Sequence, residues 1–224
     1  MRQRRERAPM SKLESEVDGL IWDMDGTLID SATVVPDAFI AVTSALGGTR
    51  RSRAEVIALY SLGEPATMLG HLLDRPSTPA DVDAYHEELA QRADGVRPYP
   101  GIKEALEALR PRLPMGVFTG ASTRAAEILL DAAGLVDKFH VTVGGDQVAA
   151  PKPDPEGIQL VCRHLGLRTA DCAYLGDAPT DLEAARRSGA LPLAAGWGHL
   201  HRAPEDPGTH VIEHPLDLLT LLDM

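Results

Sequence analysis

The chain has 224 residues, enough for one large or two small domains with a real buried core, and its 44% hydrophobic content is that of an ordinary globular protein. No apolar run approaches the roughly 20 residues that span a bilayer, and the N-terminus lacks the charged-then-apolar layout of a secretory signal, so a cytoplasmic protein with no membrane partner is expected. The net charge of −11 is uneven: residues 1–12 carry +4 from Arg2, Arg4, Arg5, Arg7 and Lys12 against Glu6, and the remainder, at −15, is too acidic for nucleic acid to be the main partner.

Residues 1–16 read as a disordered basic tail. The first strand is predicted over 17–23, running through Leu20-Ile21-Trp22 into Asp23-Met24-Asp25-Gly26-Thr27. Residues 31–98 interrupt the pattern with helical periods at Pro36–Leu46, Ser52–Leu62, Pro65–Leu73 and Pro79–Ala93, and Ser52 with Glu55 has the spacing of a capping box. Connections near 29–34 and 95–100 are the expected hinges, and Pro98-Tyr99-Pro100-Gly101 marks the return to the core. After it, helices at 101–110, 122–133, 155–166, 180–188 and 215–222 alternate with strands at 114–119, 139–143, 172–176 and 191–195 and a weaker one at 209–212. Strand-then-helix alternation with nearly continuous apolar strands predicts an α/β chain: a Rossmann-like doubly wound parallel sheet over 17–30 and 99–224, with 31–98 as a small inserted helical bundle. The two cysteines, Cys162 and Cys172, fit no metal or CxxC spacing and read as core thiols.

Four segments carry chemistry, each at a strand-to-helix junction, where open α/β sheets bind ligands. In the first, Asp23 and Asp25 stand two apart at a strand end and share a face; carboxylates that close repel unless a cation or a shared proton compensates. The second is Val117-Phe118-Thr119-Gly120-Ala121-Ser122, where a hydroxyl and free amides suit a phosphate oxygen and Ser122 caps a helix. The third, Pro151-Lys152-Pro153-Asp154, fixes one of only four lysines between two prolines, where its ammonium can balance carboxylates and a phosphate dianion; Asp154 starts the next helix. The fourth, Gly176-Asp177-Ala178-Pro179-Thr180-Asp181, offers Asp177 as an oxygen ligand for a divalent cation and Asp181 as a first-turn acid beside Lys152.

In this order and spacing, D-x-D-G-T, the strand-end Thr119, Lys152-Pro153 and G-D-x-x-x-D resemble the haloacid dehalogenase-like (HAD) hydrolase superfamily over residues 17–222. Tyr99-Pro100-Gly101, Trp197-Gly198 and a helical cap inserted after the first strand resemble its phosphoglycolate phosphatase and β-phosphoglucomutase branch. The resemblance implies that Asp23 is the nucleophile, that Asp25 is the acid and base, that Mg²⁺ is held by Asp23, the Asp25 carbonyl and Asp177, and that Thr119 and Gly120 bind the phosphoryl group. Lys152 would offset charge and Asp181 would position it. The implied activity is hydrolysis of a small phosphorylated metabolite (phosphoglycolate, a sugar phosphate or a nucleoside monophosphate) through an aspartyl-phosphate.

Asp25 argues against a dehalogenase, and residues 31–98 hold no lysine for a Schiff base of the phosphonoacetaldehyde hydrolase kind. Thr27 stands where β-phosphoglucomutases resembling this chain usually carry a branched apolar residue, so sugar-phosphate mutation is the second reading and a silent binding protein the third. Leu62-Gly63-Glu64-Pro65 resembles a substrate-specificity loop, and Arg50, Arg51, Arg53 and Arg75 are candidates to meet a second anionic group. Nothing in the sequence chooses between a monomer and a homodimer.

Overall fold

A computed structural model describes residues 17–203 and 209–222; the basic tail expected at 1–16 lies outside them. In chain order the elements are strands β1 (Gly19–Trp22) and β2 (Ile29–Asp30), helices α1 (Val34–Ala45), α2 (Arg53–Ile57), α3 (Pro65–Leu72) and α4 (Pro79–Arg92), strand β3 (Arg97–Pro98), helix α5 (Ile102–Leu109) and strand β4 (Met115–Phe118). Helix α6 (Thr123–Ala132), strand β5 (Val141–Val143), helix α7 (Glu156–Leu165), strand β6 (Cys172–Gly176), helix α8 (Pro179–Ser188), strands β7 (Leu191–Ala195) and β8 (His210–Ile212) and helix α9 (Asp217–Leu221) complete the chain.

The main sheet has the order β5-β4-β1-β6-β7-β8, and every pair in it is parallel. Counted along the main sheet this is the doubly wound order 3-2-1-4-5-6, whose direction reverses beside β1. The alternation of strand side chains divides the core in two. Leu20, Trp22, Met115, Val117, Ala173 and Leu175 face one cluster, which takes in α5, α6 and α9. Ile21, Phe118, Cys172 and Tyr174 face the other, completed by Ile158, Val161 and Cys162 of α7 and Ala184 and Ala185 of α8. Burial on both faces is why these strands read as continuous apolar runs. Both cysteines are buried free thiols.

Helices α1–α4 lie between β2 and β3, which pair antiparallel as a ribbon, Ile29 opposite Pro98 and Asp30 opposite Arg97. Two-residue strands leave no alternating pattern, so the sequence marks these segments only as connections. The first core cluster runs on into the insert through Phe39, Met68, Tyr85 and Leu89, and Phe39 stacks on Tyr85 with centroids 4.2 Å apart. Helix formation over 52–62 is a correction to the sequence reading. The Ser52–Glu55 capping box forms, but α2 ends at Ile57 and a separate 3-10 turn, Tyr60–Leu62, follows. Gly63 then turns the chain at φ 92°, and a Cβ there would lie 2.9 Å from Pro151 Cβ.

Gly157 of α7 lies so close to Phe118 that a Cβ there would fall 2.1 Å from the ring. Gly157→Ala is expected to lower stability by about 1–3 kcal/mol through overpacking, measured by chemical denaturation; an unchanged midpoint would show that the sheet face yields more easily than its geometry implies.

Candidate active site

Every site residue follows the carboxyl end of a parallel strand. β1 ends at Trp22, one residue earlier than the strand predicted, so Asp23 and Asp25 leave it together on the loop that follows. The Asp23 N–H still donates to the Leu175 carbonyl at 2.8 Å, while Thr27 and Leu28 N–H groups close a turn on the Met24 carbonyl. Gly26 takes φ 82° in that turn. The two aspartates therefore share a site because the loop is tightly wound, not because they share a strand face.

Lys152, from the loop between β5 and α7, bonds Asp23 Oδ1 at 2.6 Å and Asp181 Oδ1 at 2.7 Å. The Tyr174 hydroxyl lies 3.2 Å from its Nζ and 3.1 Å from the Phe118 carbonyl. Asp181 spends its other oxygen on the Ala178 N–H at 2.9 Å, at the start of α8. Asp177 Oδ2 accepts the Leu200 N–H at 2.8 Å, whereas its Oδ1 is buried with no partner among the described residues. Two glycines give Asp177 its place: a Cβ on Gly26 would lie 2.4 Å from Oδ2, and one on Gly198 2.1 Å from the Asp177 Cβ. Trp197 Nε1 donates to the Thr27 carbonyl at 2.9 Å and ties these two loops together.

Asp23, Asp177 and Asp181 are 4%, 2% and 1% exposed, and one carboxylate oxygen from each lies within 4.8 Å of the others. Three buried carboxylates facing one ammonium are under-compensated. Burial raises the Asp23 carboxyl well above its usual range, with Lys152 opposing and the charges of Asp181 and Asp177 adding. Burial, then the charge of Asp181, pushes Asp177 up to about 7. Burial also works against the Lys152 charge, but Asp181 and Asp23 outweigh it and hold its pKa well above that of an ordinary lysine. The Asp25 carboxyl, which takes the Ser31 hydroxyl, is raised mainly by burial, the Ser31 hydrogen bond opposing.

Thr119 follows β4 directly, its Oγ1 accepting the Ala121 N–H at 3.1 Å, and Ser122 caps α6 as read from sequence, accepting the Ala125 N–H. Asp23, Asp25, Thr119, Gly120, Lys152, Asp177 and Asp181 all line one cavity of about 350 Å³. Its opposite wall comes from the insert. The arginines offered for a second anion are a correction: none of Arg50, Arg51, Arg53 and Arg75 lines this cavity. Arg53 is forked onto Asp37, Arg75 onto Asp81, and Arg51 lies 3.6 Å from Glu55. Surface arginines with acids in reach are drawn to those acids and to water.

Sequence reasoning missed several participants. Tyr174 carries a legible signal, since a phenol in the wholly buried run Cys172–Gly176 needs a polar partner. Ser31, which bonds Asp25 across the turn that follows β1, and His86 of α4, whose Nε2 lies 2.7 Å from Ser122 Oγ 36 residues away, carry none.

A sequence model of the family described as haloacid dehalogenase-like hydrolase matches residues 17–189. The chain is 33% identical to N-acetylmuramic acid 6-phosphate phosphatase of Pseudomonas aeruginosa over 222 residues, covering 91% of this chain and 94% of that protein. It is 30% identical to phosphoglycolate phosphatase of Chromobacterium violaceum, covering 82% and 86%. In fold it is similar to the crystal structure of CbbY from Rhodobacter sphaeroides in complex with phosphate, with a TM-score of 0.80 over 93% of this chain and 100% of that one at 24% identity. With its fold, its motifs and the family match in agreement, the chain belongs to the haloacid dehalogenase-like hydrolases.

Proposed function

We propose that this protein is a Mg²⁺-dependent phosphatase that hydrolyses a small phosphomonoester through an aspartyl-phosphate on Asp23. That it is a phosphoric monoester hydrolase rests on the family match and on the phosphatases it resembles over most of its length. The observation that carries the finer reading is the meeting of Asp23, Asp25, Lys152 and Asp177 on one cavity, all beyond strand ends. Substrates of the phosphoglycolate, sugar phosphate or nucleoside monophosphate type fall within it, and residues 31–98 act as the cap over residues 17–30 and 99–224. Among the described residues no helix is long and apolar enough to cross a membrane, and a cytoplasmic enzyme is part of the same reading.

The residues fit a hard divalent cation. The ligand atoms available are oxygens, Asp177 Oδ1 is buried without a partner, and both oxygens of Asp181 are already engaged by Lys152 and Ala178. Asp23, Asp177 and the Asp25 carbonyl would hold Mg²⁺, with Asp181 supporting through Lys152. Bound there, the cation would offset charge on the transferring phosphoryl group.

In the first step an Asp23 oxygen attacks phosphorus, the bond to the leaving oxygen breaks, and Asp25 delivers its proton to that oxygen. Its raised pKa suits a group that must hold and then give up a proton. In the second step Asp25 takes a proton from water, whose oxygen attacks phosphorus and frees Asp23 and inorganic phosphate. Thr119, the Gly120 amide and the Lys152 ammonium hold the phosphoryl oxygens throughout. Placing fixed donors and cations around a charge-rich transition state supplies most of the acceleration in such reactions.

With Mg²⁺ the wild type is expected to release phosphate from p-nitrophenyl phosphate, and Asp23→Asn to lower kcat by at least roughly 10³-fold; full turnover by that variant would remove Asp23 as nucleophile. A pH effect follows from Asp177. Its folded-state pKa, about 7, lies above the ordinary 3.8, so the folded protein holds a proton that the unfolded chain has lost, and this contribution to stability declines as pH rises from about 4 through 7. In EDTA the Tm should therefore fall between pH 5.5 and 8. Mg²⁺, which competes with that proton, should raise the Tm more at pH 8. An equal Mg²⁺ increment at both pH values would contradict the assignment.

A further inference from the structure

The lining of the cavity divides by exposure. Asp23, Thr119, Asp177 and Asp181 are buried and form its inner end. Ala58 and Ser61 of the insert and Pro179 and Arg202 of the core line it while exposed, and mark its outer end. No residue that the insert places in the lining is charged. The lining's cations are Lys152, already bonded to Asp23 and Asp181, and Arg202. Arg202 stands on the loop after β7, which is tied to the site at three points. The Leu200 N–H bonds Asp177 Oδ2 at 2.8 Å, the His201 N–H bonds the Gly198 carbonyl at 3.2 Å, and Trp197 Nε1 bonds the Thr27 carbonyl at 2.9 Å. The Arg202 guanidinium spends Nη1 on the His201 carbonyl at 2.7 Å and has no acidic partner among the described residues. A guanidinium carries several N–H donors and a permanent charge, so most of its bonding capacity is left open. Arg51, Arg53 and Arg75 differ in this, their charges being met by acids.

We propose that Arg202 is a specificity-determining residue that binds a second anionic group, a carboxylate or a phosphate, at the end of the substrate remote from the phosphoryl group. The inference rests on the phosphatase reading and deepens it, because it selects doubly anionic phosphomonoesters over those whose leaving group is neutral. The phosphoryl group belongs at the inner end, where Asp23 attacks it, so the part of the substrate beside Arg202 is the leaving group. A guanidinium fork matches the oxygens of a carboxylate or a phosphate with paired, charge-assisted hydrogen bonds. Without such a cation a second anion is repelled: Asp23, Asp25, Asp177 and Asp181 line the cavity, and the charge of Lys152 is committed to two of them. Charge complementarity at the outer end offsets that repulsion for an anionic leaving group and gives no comparable gain to a neutral one. At about 350 Å³ the cavity lies at the small end of the roughly 300–1,000 Å³ typical of small-molecule sites.

The test measures kcat/KM with Mg²⁺ for 6-phosphogluconate, glucose 1,6-bisphosphate and glucose 6-phosphate, in the wild type and in Arg202→Gln. The first carries a carboxylate and the second a phosphate at the end remote from the 6-phosphate, while the third has no second charge. The wild type is expected to favour at least one of the doubly anionic substrates over glucose 6-phosphate by roughly 10-fold, the effect of a hydrogen bond to a charged group. Which of the two it favours tells a carboxylate from a phosphate. Arg202→Gln should abolish that preference. Because both members of each ratio are hydrolysed by the same preparation, a general loss of folded enzyme leaves the ratio where it was. A wild type that favours neither, or a preference that survives in Arg202→Gln, would overturn the inference while leaving the phosphatase reading intact. Failure of the wild type to hydrolyse all three would overturn both.

Discussion

The Lys152 ammonium, bonded at once to Asp23 and Asp181, is the interaction around which the site is organised. Removing each of these ions from water costs several kcal/mol, and only close pairing with further hydrogen bonds recovers it. The surroundings supply those bonds: Tyr174 beside the ammonium, the Ala178 N–H on Asp181 and the Leu175 carbonyl on the Asp23 backbone. One lysine still cannot neutralise Asp23, Asp177 and Asp181 together. Burial, and after it the charge of Asp181, pushes the Asp177 carboxyl up to about 7, and its Oδ1 has no partner among the described residues. A site that must accept a phosphate dianion inside an acidic protein needs local positive charge, and the same imbalance creates the place for it.

Fold and charge arrangement are coupled through close backbone contact. Asp177 sits between Gly26 and Gly198, each from a different loop, and Gly176 leaves room for Asp181: a Cβ there would lie 2.5 Å from the Asp181 Cβ. Parallel strands ending at one rim bring these loops together, and the reversal of strand order beside β1 opens the crevice they surround. The insert closes the other side by continuing the same hydrophobic cluster, and His86 of α4 reaches Ser122 at the start of α6. The charged cluster thus follows the strand ends of the main sheet, while the facing wall of the cavity comes from the insert, joined to the sheet by the two-residue ribbon.

What the sequence made legible follows from where the information is local. The predicted strands at 172–176 and 191–195 match β6 and β7, because burial on both faces writes itself into consecutive apolar residues. The pairing of Asp181 with Lys152 was also legible, since an acid in a first helical turn and a lysine held between prolines each point to a strand-end loop. Features set by distant contact were not. The turn at Gly63 lies against Pro151, and the β2–β3 ribbon is too short for periodicity, so neither leaves a periodic pattern in the sequence. The insert's arginines drew notice as cations, yet Asp37, Glu55 and Asp81, all of the insert itself, engage Arg53, Arg51 and Arg75.

The most direct test of this account is the pH dependence of stability in Lys152→Met, compared with the wild type in the absence of divalent cations. Stripped of its ammonium, the buried acidic cluster should cost the folded protein about 3–5 kcal/mol at pH 8. That loss should shrink toward pH 5.5, as the carboxyl of Asp23, already raised by burial, takes up a proton in place of the lysine. A loss that is the same at both pH values, or none at all, would show that Lys152 does not hold the carboxylates together and that the site is organised by something else.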